Sequence, residues 1–162
     1  MQTQSTPHPS ERSLLGRRIL VVEDHADSRE LLATSFRLVG ARVLAVESVG
    51  EAQRGVDRLK PELVVCDLKL PDGTGLDFAV WLRARPKGQG RETPCIALTG
   101  FDQHFPPDRA IGFDAYMRKP IDLAKLCNTA SALIGRAQPL TLEDRSCAAG
   151  PPPSRPPRAS HR

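Results

Sequence analysis

Several apolar runs in this chain end at residues that could bind a divalent cation or a phosphoryl group. Carboxylates are preferred ligands of hard cations such as Mg2+, and an ammonium or a hydroxyl can stabilise charge on phosphoryl oxygens. Three of the runs end at such groups: the carboxylates of Glu23-Asp24, the carboxylate of Asp67 and the hydroxyl of Thr99. The ammonium of Lys119 follows a later run. These residue types indicate metal-assisted phosphoryl chemistry.

The runs themselves predict where these side chains lie. Residues 18–22, 63–66 and 95–98 are almost entirely apolar, as expected of parallel strands that are covered on both faces. In an open α/β sheet the carboxyl ends of such strands lie along one edge, where ligands bind. We therefore expect three carboxylates, a hydroxyl and an ammonium to meet at one edge of a sheet.

Strand and helix patterns alternate five times between residues 17 and 136. The alternation predicts an α/β fold, (βα)5, with a doubly wound, parallel, five-stranded sheet and right-handed crossovers that place helices on both faces. Strands are predicted at 18–22, 42–46 and 63–66, from residue 94, and at 115–118. Helices are predicted at 27–39, ended by Gly40, at 48–59, opened by a Ser48–Glu51 capping box, at 75–84, and after Asp122 as N-cap.

Composition limits the function classes. With 162 residues and a 40% hydrophobic fraction, the chain has room for one domain with a core. No apolar run approaches the roughly 18 residues of a membrane span, and the amino terminus lacks the pattern of a secretory signal, so we expect a cytosolic protein without a membrane anchor. The four cysteines are widely spaced, which argues against a zinc site and predicts reduced, buried thiols.

The two ends of the chain differ from its middle. Residues 1–16 are polar, and residues 137–162 are rich in proline and arginine, so neither segment can bury enough apolar surface to offset the entropy of ordering it. We therefore expect one folded domain at 17–136 between two disordered segments. Part of the net charge of +4 comes from the tail, and the nearly neutral middle does not favour binding to nucleic acid.

Taken singly, each candidate residue has an ordinary structural explanation. A carboxylate after a strand is often a helix cap or a turn residue, and a lone lysine is most often a surface charge. Such explanations predict no particular order of residues along the chain. Four motifs follow one another along the chain: Val21-Val22-Glu23-Asp24, Cys66-Asp67-Leu68-Lys69-Leu70-Pro71-Asp72-Gly73, Ala97-Leu98-Thr99-Gly100 and Tyr116-Met117-Arg118-Lys119-Pro120. In this order, the motifs closely resemble the receiver domain of two-component response regulators, in the chemotaxis response regulator-like superfamily.

The resemblance implies a flavodoxin-like strand order, 2-1-3-4-5, and a phosphoacceptor site. In this family the residue that matches Asp67 is the nucleophile that takes a phosphoryl group from a phosphohistidine. Mg2+ is the implied cofactor, with Asp24 and Asp67 as direct ligands. Glu23 is expected to bind it through water, and Lys69 through its backbone carbonyl.

The resemblance also implies groups for charge stabilisation and switching. Lys119 and Thr99 are expected to contact the phosphoryl oxygens, and Thr99 and Tyr116 are expected to move after phosphorylation. The Lys119–Pro120 peptide bond is expected to be cis. The residues expected beside the phosphoryl group are Gly100, Lys69 and Phe101. Since Lys69 and Phe101 could obstruct an in-line water, we expect slow self-dephosphorylation.

The predicted function is that of a stand-alone receiver that catalyses only its own phosphorylation and dephosphorylation. Its partners would be a histidine kinase or histidine phosphotransfer protein and an unidentified downstream protein, and weak homodimerisation stays open. One alternative is a DNA-associated regulator that uses the basic tail. Another is an aspartate-nucleophile phosphohydrolase, but that chemistry normally needs a second acid two residues after the nucleophile, where this chain has Lys69.

One region departs from the family pattern. Only nineteen residues separate Thr99 from Lys119, slightly fewer than usual, and Pro106-Pro107 lies where the fourth helix would begin. Because proline is tolerated only in the first turn of a helix, we expect a short helix at 107–111.

Overall fold

A computed structural model of the chain describes residues 14–100 and 112–137. Seven strands lie in these residues: β1 (Arg18–Val22), β2 (Arg42–Val46), β3 (Leu63–Asp67), β4 (Lys69–Leu70), β5 (Gly73–Thr74), β6 (Cys95–Thr99) and β7 (Ala115–Arg118). The helices there are α1 (Ala26–Leu38), α2 (Val49–Leu59), α3 (Gly75–Arg83) and α4 (Leu123–Ala137).

Five of the strands form one parallel sheet in the order β2-β1-β3-β6-β7. Since β6 and β7 are the fourth and fifth strands of this sheet along the chain, the predicted α/β class and the order 2-1-3-4-5 are confirmed. The antiparallel hairpin of β4 and β5 stands apart from the sheet. The sequence does not predict this hairpin, because strands of two residues carry no periodic signal and Pro71-Asp72-Gly73 has the composition of a turn.

The sheet separates two apolar layers. Alternate residues of β1 divide between them: Ile19 and Val21 belong to the layer beneath α1 and α4, and Leu20 and Val22 to the layer beneath α2 and α3. All four side chains are fully buried, which explains why the strand reads as a continuous apolar run. This burial removes the central strands from solvent and leaves their carboxyl ends as the place where polar groups are tolerated.

The folded unit begins before the predicted boundary at residue 17. Leu14 is only 1% exposed and belongs to the core layer of α1 and α4. Its backbone N–H donates to the carbonyl of Val39 at 3.1 Å, and that of Gly16 donates to Gly40 at 2.9 Å. Gly40 adopts a φ of +92° after α1, in the region that favours glycine. Residues 14–16 are therefore ordered, contrary to the prediction.

The helix caps differ in part from the prediction. Ser48 accepts a hydrogen bond from the Glu51 N–H at 3.3 Å as expected, but the Glu51 carboxylate accepts from the N–H of Glu47 instead of closing a capping box with Ser48. A reciprocal capping box does open α3, between Thr74 and Asp77. Asp122 caps α4 as predicted, since its Oδ1 accepts from the Lys125 N–H at 3.0 Å.

Asp72, at the tip of the β4–β5 hairpin, binds the amino terminus of α2. Its Oδ1 accepts from the Val49 N–H at 2.8 Å and its Oδ2 accepts from the Gly50 N–H at 2.9 Å. These two hydrogen bonds lower the pKa of the Asp72 carboxyl below its usual range. The carboxylate thus satisfies two free N–H groups of the helix and fixes the hairpin that follows Asp67.

We expect Asp72→Asn to destabilise the fold at neutral pH and to lose this effect in acid. Because the folded pKa is depressed, the stabilisation by the carboxylate is full above the unfolded pKa of about 4 and fades as pH falls through the lower folded value. Urea unfolding of both proteins between about pH 6 and pH 3 measures the difference. A gap in unfolding free energy that stays constant over this range would contradict the assignment.

The described cysteines behave as predicted. Cys66, Cys95 and Cys127 are buried and free. Burial raises the pKa of the Cys66 thiol well above its usual range and that of Cys95 to about 12, so both stay protonated. Among the described residues, no helix has the length and apolar character required to cross a membrane. The helix predicted at 107–111 lies outside the described residues.

Candidate functional site

Three carboxylates meet at the carboxyl edge of the parallel sheet. Glu23 and Asp24 directly follow β1, and Asp67 ends the neighbouring strand β3. Each contributes one oxygen to a group in which all ligand atoms lie within 4.8 Å of one another. Glu23 is 1% exposed and Asp67 is 7% exposed, whereas Asp24 is open to solvent. The parallel register of β1 and β3 therefore brings together acids that are far apart in sequence.

Lys119 joins this cluster from the far edge of the sheet. Its Nζ donates to Asp67 Oδ2 at 2.6 Å and to Glu23 Oε2 at 2.8 Å. The backbone N–H of Lys119 also donates to the carbonyl of Thr99 at 2.7 Å, which continues the pairing of β6 and β7. The Lys119–Pro120 peptide bond is cis, as predicted. One ammonium thus bridges two buried carboxylates.

Burial and charge oppose each other in this cluster. Burial raises the pKa of Glu23 and the negative charge of Asp67 adds to the rise, although the Lys119 ammonium counters both. Burial alone would lower the pKa of Lys119, but its hydrogen bonds to Asp67 and Glu23 outweigh that effect and raise it. Lys119 is therefore cationic at neutral pH, and the excess of acids leaves the site able to attract another cation.

The backbone around Asp67 is held closely. The N–H of Lys69 donates to Asp67 Oδ1 at 3.0 Å, which orients the carboxylate. Gly75 opens α3 directly against this segment: a Cβ at that position would lie 2.3 Å from the carbonyl oxygen of Asp67. No larger residue fits there without displacing Asp67. The sequence predicts Gly75 only as the start of a helix, because nothing local signals its approach to a strand.

Thr99 and Tyr116 lie at the neighbouring strands but outside the cluster of charged groups. The Thr99 hydroxyl donates to the carbonyl of Gly100 at 3.1 Å. Tyr116 is half-buried, with its ring edge-on to Phe113 at 5.9 Å between centroids. Burial and the nearby Asp114 raise its phenolic pKa. Thr99 ends β6 and so lies at the carboxyl edge of the sheet, whereas Tyr116 is the second residue of β7. Phe101 lies outside the described residues.

The donor set of the cluster fits a divalent cation. It consists of carboxylate oxygens, which are hard ligands suited to Mg2+. The cluster includes no sulfur ligand, although buried Cys66 precedes Asp67. These oxygen donors suit a hard divalent cation such as Mg2+, and Asp24 is the solvent-facing member of the cluster.

A family model for the "Response regulator receiver domain" matches residues 19–131. The chain belongs to this family. The match covers the five-stranded sheet except Arg18 and includes Glu23, Asp24, Asp67 and Lys119. The resemblance of the motifs to response regulator receivers is thereby confirmed. Receiver domains are signalling domains of two-component systems. They accept a phosphoryl group on an aspartate and bind Mg2+ in the active site.

Two individual relatives are similar to this chain over two thirds of its length or more. An uncharacterized 14.6 kDa protein in the sodA1 3′ region of Leptolyngbya boryana is 34% identical over 110 residues, which are 67% of this chain and 82% of that protein. The phosphate regulon transcriptional regulatory protein PhoB of Escherichia coli K12 is 29% identical over 132 residues, 80% of this chain. This chain covers only 57% of that PhoB.

A solved receiver structure matches both the fold and the proposed metal chemistry. It is the receiver domain of sensor histidine kinase PA1611 from Pseudomonas aeruginosa PAO1, which holds a magnesium ion in its active site cleft. The two are 29% identical with a TM-score of 0.67, over 74% of this chain and 98% of that one.

Proposed function

We propose that this receiver domain accepts a phosphoryl group on Asp67 from a phosphohistidine. The observation that carries the proposal is the position of Asp67 between two groups of opposite charge: it shares the acidic cluster with Glu23 and Asp24, and its Oδ2 lies 2.6 Å from the Lys119 ammonium. Mg2+ would be held by Asp24 and Asp67 directly, by Glu23 through water, and by the carbonyl of Lys69.

The transfer is a single substitution at phosphorus. A carboxylate oxygen of Asp67 forms the new P–O bond, and the P–N bond to the donor imidazole breaks, with the electron pair leaving on the ring nitrogen. Negative charge then increases on the three equatorial phosphoryl oxygens. When bound, Mg2+ supplies electrostatic stabilisation of that charge. The protein contributes the fixed direction of the Asp67 carboxylate, which the Lys69 N–H holds at 3.0 Å.

Lys119 and Thr99 stabilise the product in this proposal. The ammonium already contacts the attacking carboxylate, so it is placed to follow the charge onto the phosphoryl oxygens. The Thr99 hydroxyl must leave the Gly100 carbonyl to donate to the new group. That movement, followed by Tyr116, would change the surface formed by β7 and α4 and be read by a downstream protein.

The partners in this proposal are a histidine kinase or histidine phosphotransfer protein and a protein that binds the phosphorylated form. The cytoplasm is the compartment we propose, since phosphohistidine donors and reduced thiols occur together there.

Self-dephosphorylation is slow in this proposal, because the side chain of Lys69 lies on the path of the hydrolytic water. The exposure of Lys69 beside Asp67 supports this placement.

Phosphorylation by a small donor tests the proposal. We expect acetyl phosphate with Mg2+ to add one phosphoryl group to the full chain, and no addition when the metal is chelated. Reduction of the acyl phosphate with borohydride converts the modified aspartate to homoserine, which mass spectrometry of peptides should place at residue 67. Homoserine at residue 24 instead would refute the assignment of Asp67 as the acceptor, and incorporation that persists after chelation would refute the requirement for Mg2+.

A further inference from the structure

Arg29 contacts the acidic cluster in a way that the sequence did not indicate. It lies in the first turn of α1, and its Nη1 donates to the backbone carbonyls of both Glu23 and Asp24, at 2.8 and 3.0 Å. Its Nη2 forms an ion pair with Glu47 Oε2 at 3.3 Å, in the turn between β2 and α2. One guanidinium thus links the acidic turn after β1 to the turn after the neighbouring strand.

The two acids of this turn are held differently. The carboxylate of Glu23 accepts from the His25 N–H at 3.2 Å and from Lys119, so its direction is fixed by its own contacts. The carboxylate of Asp24 is exposed, and in residues 14–100 and 112–137 no hydrogen bond or ion pair holds it. Its place beside Asp67 therefore depends on the backbone that carries it.

Arg29 is the group that holds that backbone from the side of α1. The N–H of Glu23 donates to the carbonyl of Val46 at 3.0 Å, which continues the pairing of β1 with β2. Beyond this point the chain leaves the sheet, and the Arg29 side chain is the donor to the carbonyls of Glu23 and Asp24. The planar fork of an arginine can reach both carbonyls and a carboxylate at once, whereas a lysine ammonium acts as one point charge.

We propose that Arg29 is a positioning residue for Mg2+ binding: it fixes the turn after β1 so that the Asp24 carboxylate stays within ligand distance of Asp67. The inference rests on the proposed function of the acidic cluster as a metal site. A favourable effect of Arg29 on Mg2+ binding does not follow from its charge, because a guanidinium near the site repels a cation and would by itself weaken binding. The ion pair with Glu47 reduces this repulsion and anchors the fork.

Three variants separate positioning from charge and from stability. Arg29→Lys keeps the charge without the fork, Arg29→Gln removes both, and Glu47→Gln loosens the fork without changing Arg29. Arg37→Lys is the matched control, since Arg37 lies on the same helix and pairs with Glu30 away from the cluster. Isothermal titration calorimetry gives the Mg2+ dissociation constant of each full-length protein, and thermal unfolding without metal gives its stability.

We expect both Arg29 variants to raise the Mg2+ dissociation constant about tenfold, the usual effect of losing a group that orients a metal ligand. Glu47→Gln should raise it less, and Arg37→Lys should leave it unchanged. With acetyl phosphate, the Arg29 variants should need more Mg2+ for half-maximal phosphorylation but reach the wild-type rate at saturation. This separation of affinity from rate is not expected if Arg29 only stabilises the fold.

Other results would overturn the inference. If Arg29→Lys binds Mg2+ as the wild type does and Arg29→Gln binds it more tightly, Arg29 acts only as a repelling charge. If unfolding temperatures fall while the dissociation constants stay the same, its role is structural. If the wild type itself binds no Mg2+, the proposed function fails together with this inference. If the Arg29 variants lower only the rate at saturating Mg2+, the inference that Arg29 positions a metal ligand fails and the proposed function stands.

Discussion

Replacing Asp67 by asparagine is expected to reduce phosphoryl incorporation from acetyl phosphate to below about a thousandth of the wild-type rate, because removal of a nucleophile removes the covalent route itself. The amide keeps the shape of the side chain, and its oxygen can still accept from the Lys69 N–H or from the Lys119 ammonium. Glu23 still pairs with that ammonium. The fold should therefore survive while the chemistry is lost.

A matched variant shows whether the loss is specific. Asp57→Asn makes the same change on α2, where Asp57 is exposed and pairs with Arg85, and it should phosphorylate at the wild-type rate. Radiolabelled acetyl phosphate gives the rates, and circular dichroism shows that both variants are folded. If Asp67→Asn retains more than about a tenth of the wild-type rate, another residue accepts the phosphoryl group.

The central site was predictable from sequence because strand ends have a simple geometry. Glu23, Asp24 and Asp67 each stand at the end of an apolar run, and parallel strands place their carboxyl ends at one edge whatever the loops between them do. Lys119 follows the last strand in the same way. The five-stranded sheet could be predicted for the same reason, since buried parallel strands are the most distinct signal in the chain. Its strand order followed instead from the resemblance of the motifs to receiver domains.

The supporting residues could not be predicted because each acts across a distance that no local pattern encodes. Gly75 approaches the Asp67 backbone, Asp72 reaches the start of α2, and Arg29 joins two turns through backbone carbonyls. In sequence these are a helix start, a turn residue and a helical arginine, with ordinary local roles. Leu14 was assigned to a disordered segment for a similar reason: its partners lie at the end of α1.

Lys119→Met should have the second largest effect. The methionine keeps the length of the side chain but cannot donate to Asp67 or to the oxygens of the incoming phosphoryl group. Loss of one such preorganised donor typically lowers a rate by about 10²–10³, and we expect a fall of that order with acetyl phosphate at saturating Mg2+. Lys125→Met, at an exposed lysine of α4, is the control and should have the wild-type rate.

The same substitution should change how the metal binds. In the free protein the ammonium bridges Asp67 and Glu23, so it neutralises part of the charge that attracts a cation. Without it, we expect Lys119→Met to bind Mg2+ more tightly than the wild type even though it phosphorylates slowly. Calorimetric titration measures this. Weaker binding would mean that Lys119 mainly holds the carboxylates in place for the metal.

Stability should also become dependent on pH in Lys119→Met. Glu23 is 1% exposed and its pKa is already raised by burial and by Asp67, so removal of the ammonium raises it further. A carboxyl whose pKa is raised in the folded protein contributes stability that is complete below its pKa in the unfolded chain, about 4.3 for glutamate. This contribution is lost as pH rises through the pKa of the folded protein. Relative to the wild type, the variant should therefore lose stability steadily as pH rises from about 4.3 toward neutrality. At neutral pH the difference in unfolding free energy between the two proteins should be about 1–3 kcal/mol, less than for a fully buried pair because Lys119 is 32% exposed.

Urea unfolding of both proteins across this pH range measures the difference. Added Mg2+ should restore much of the lost stability, because a cation bound to the folded state replaces the missing charge.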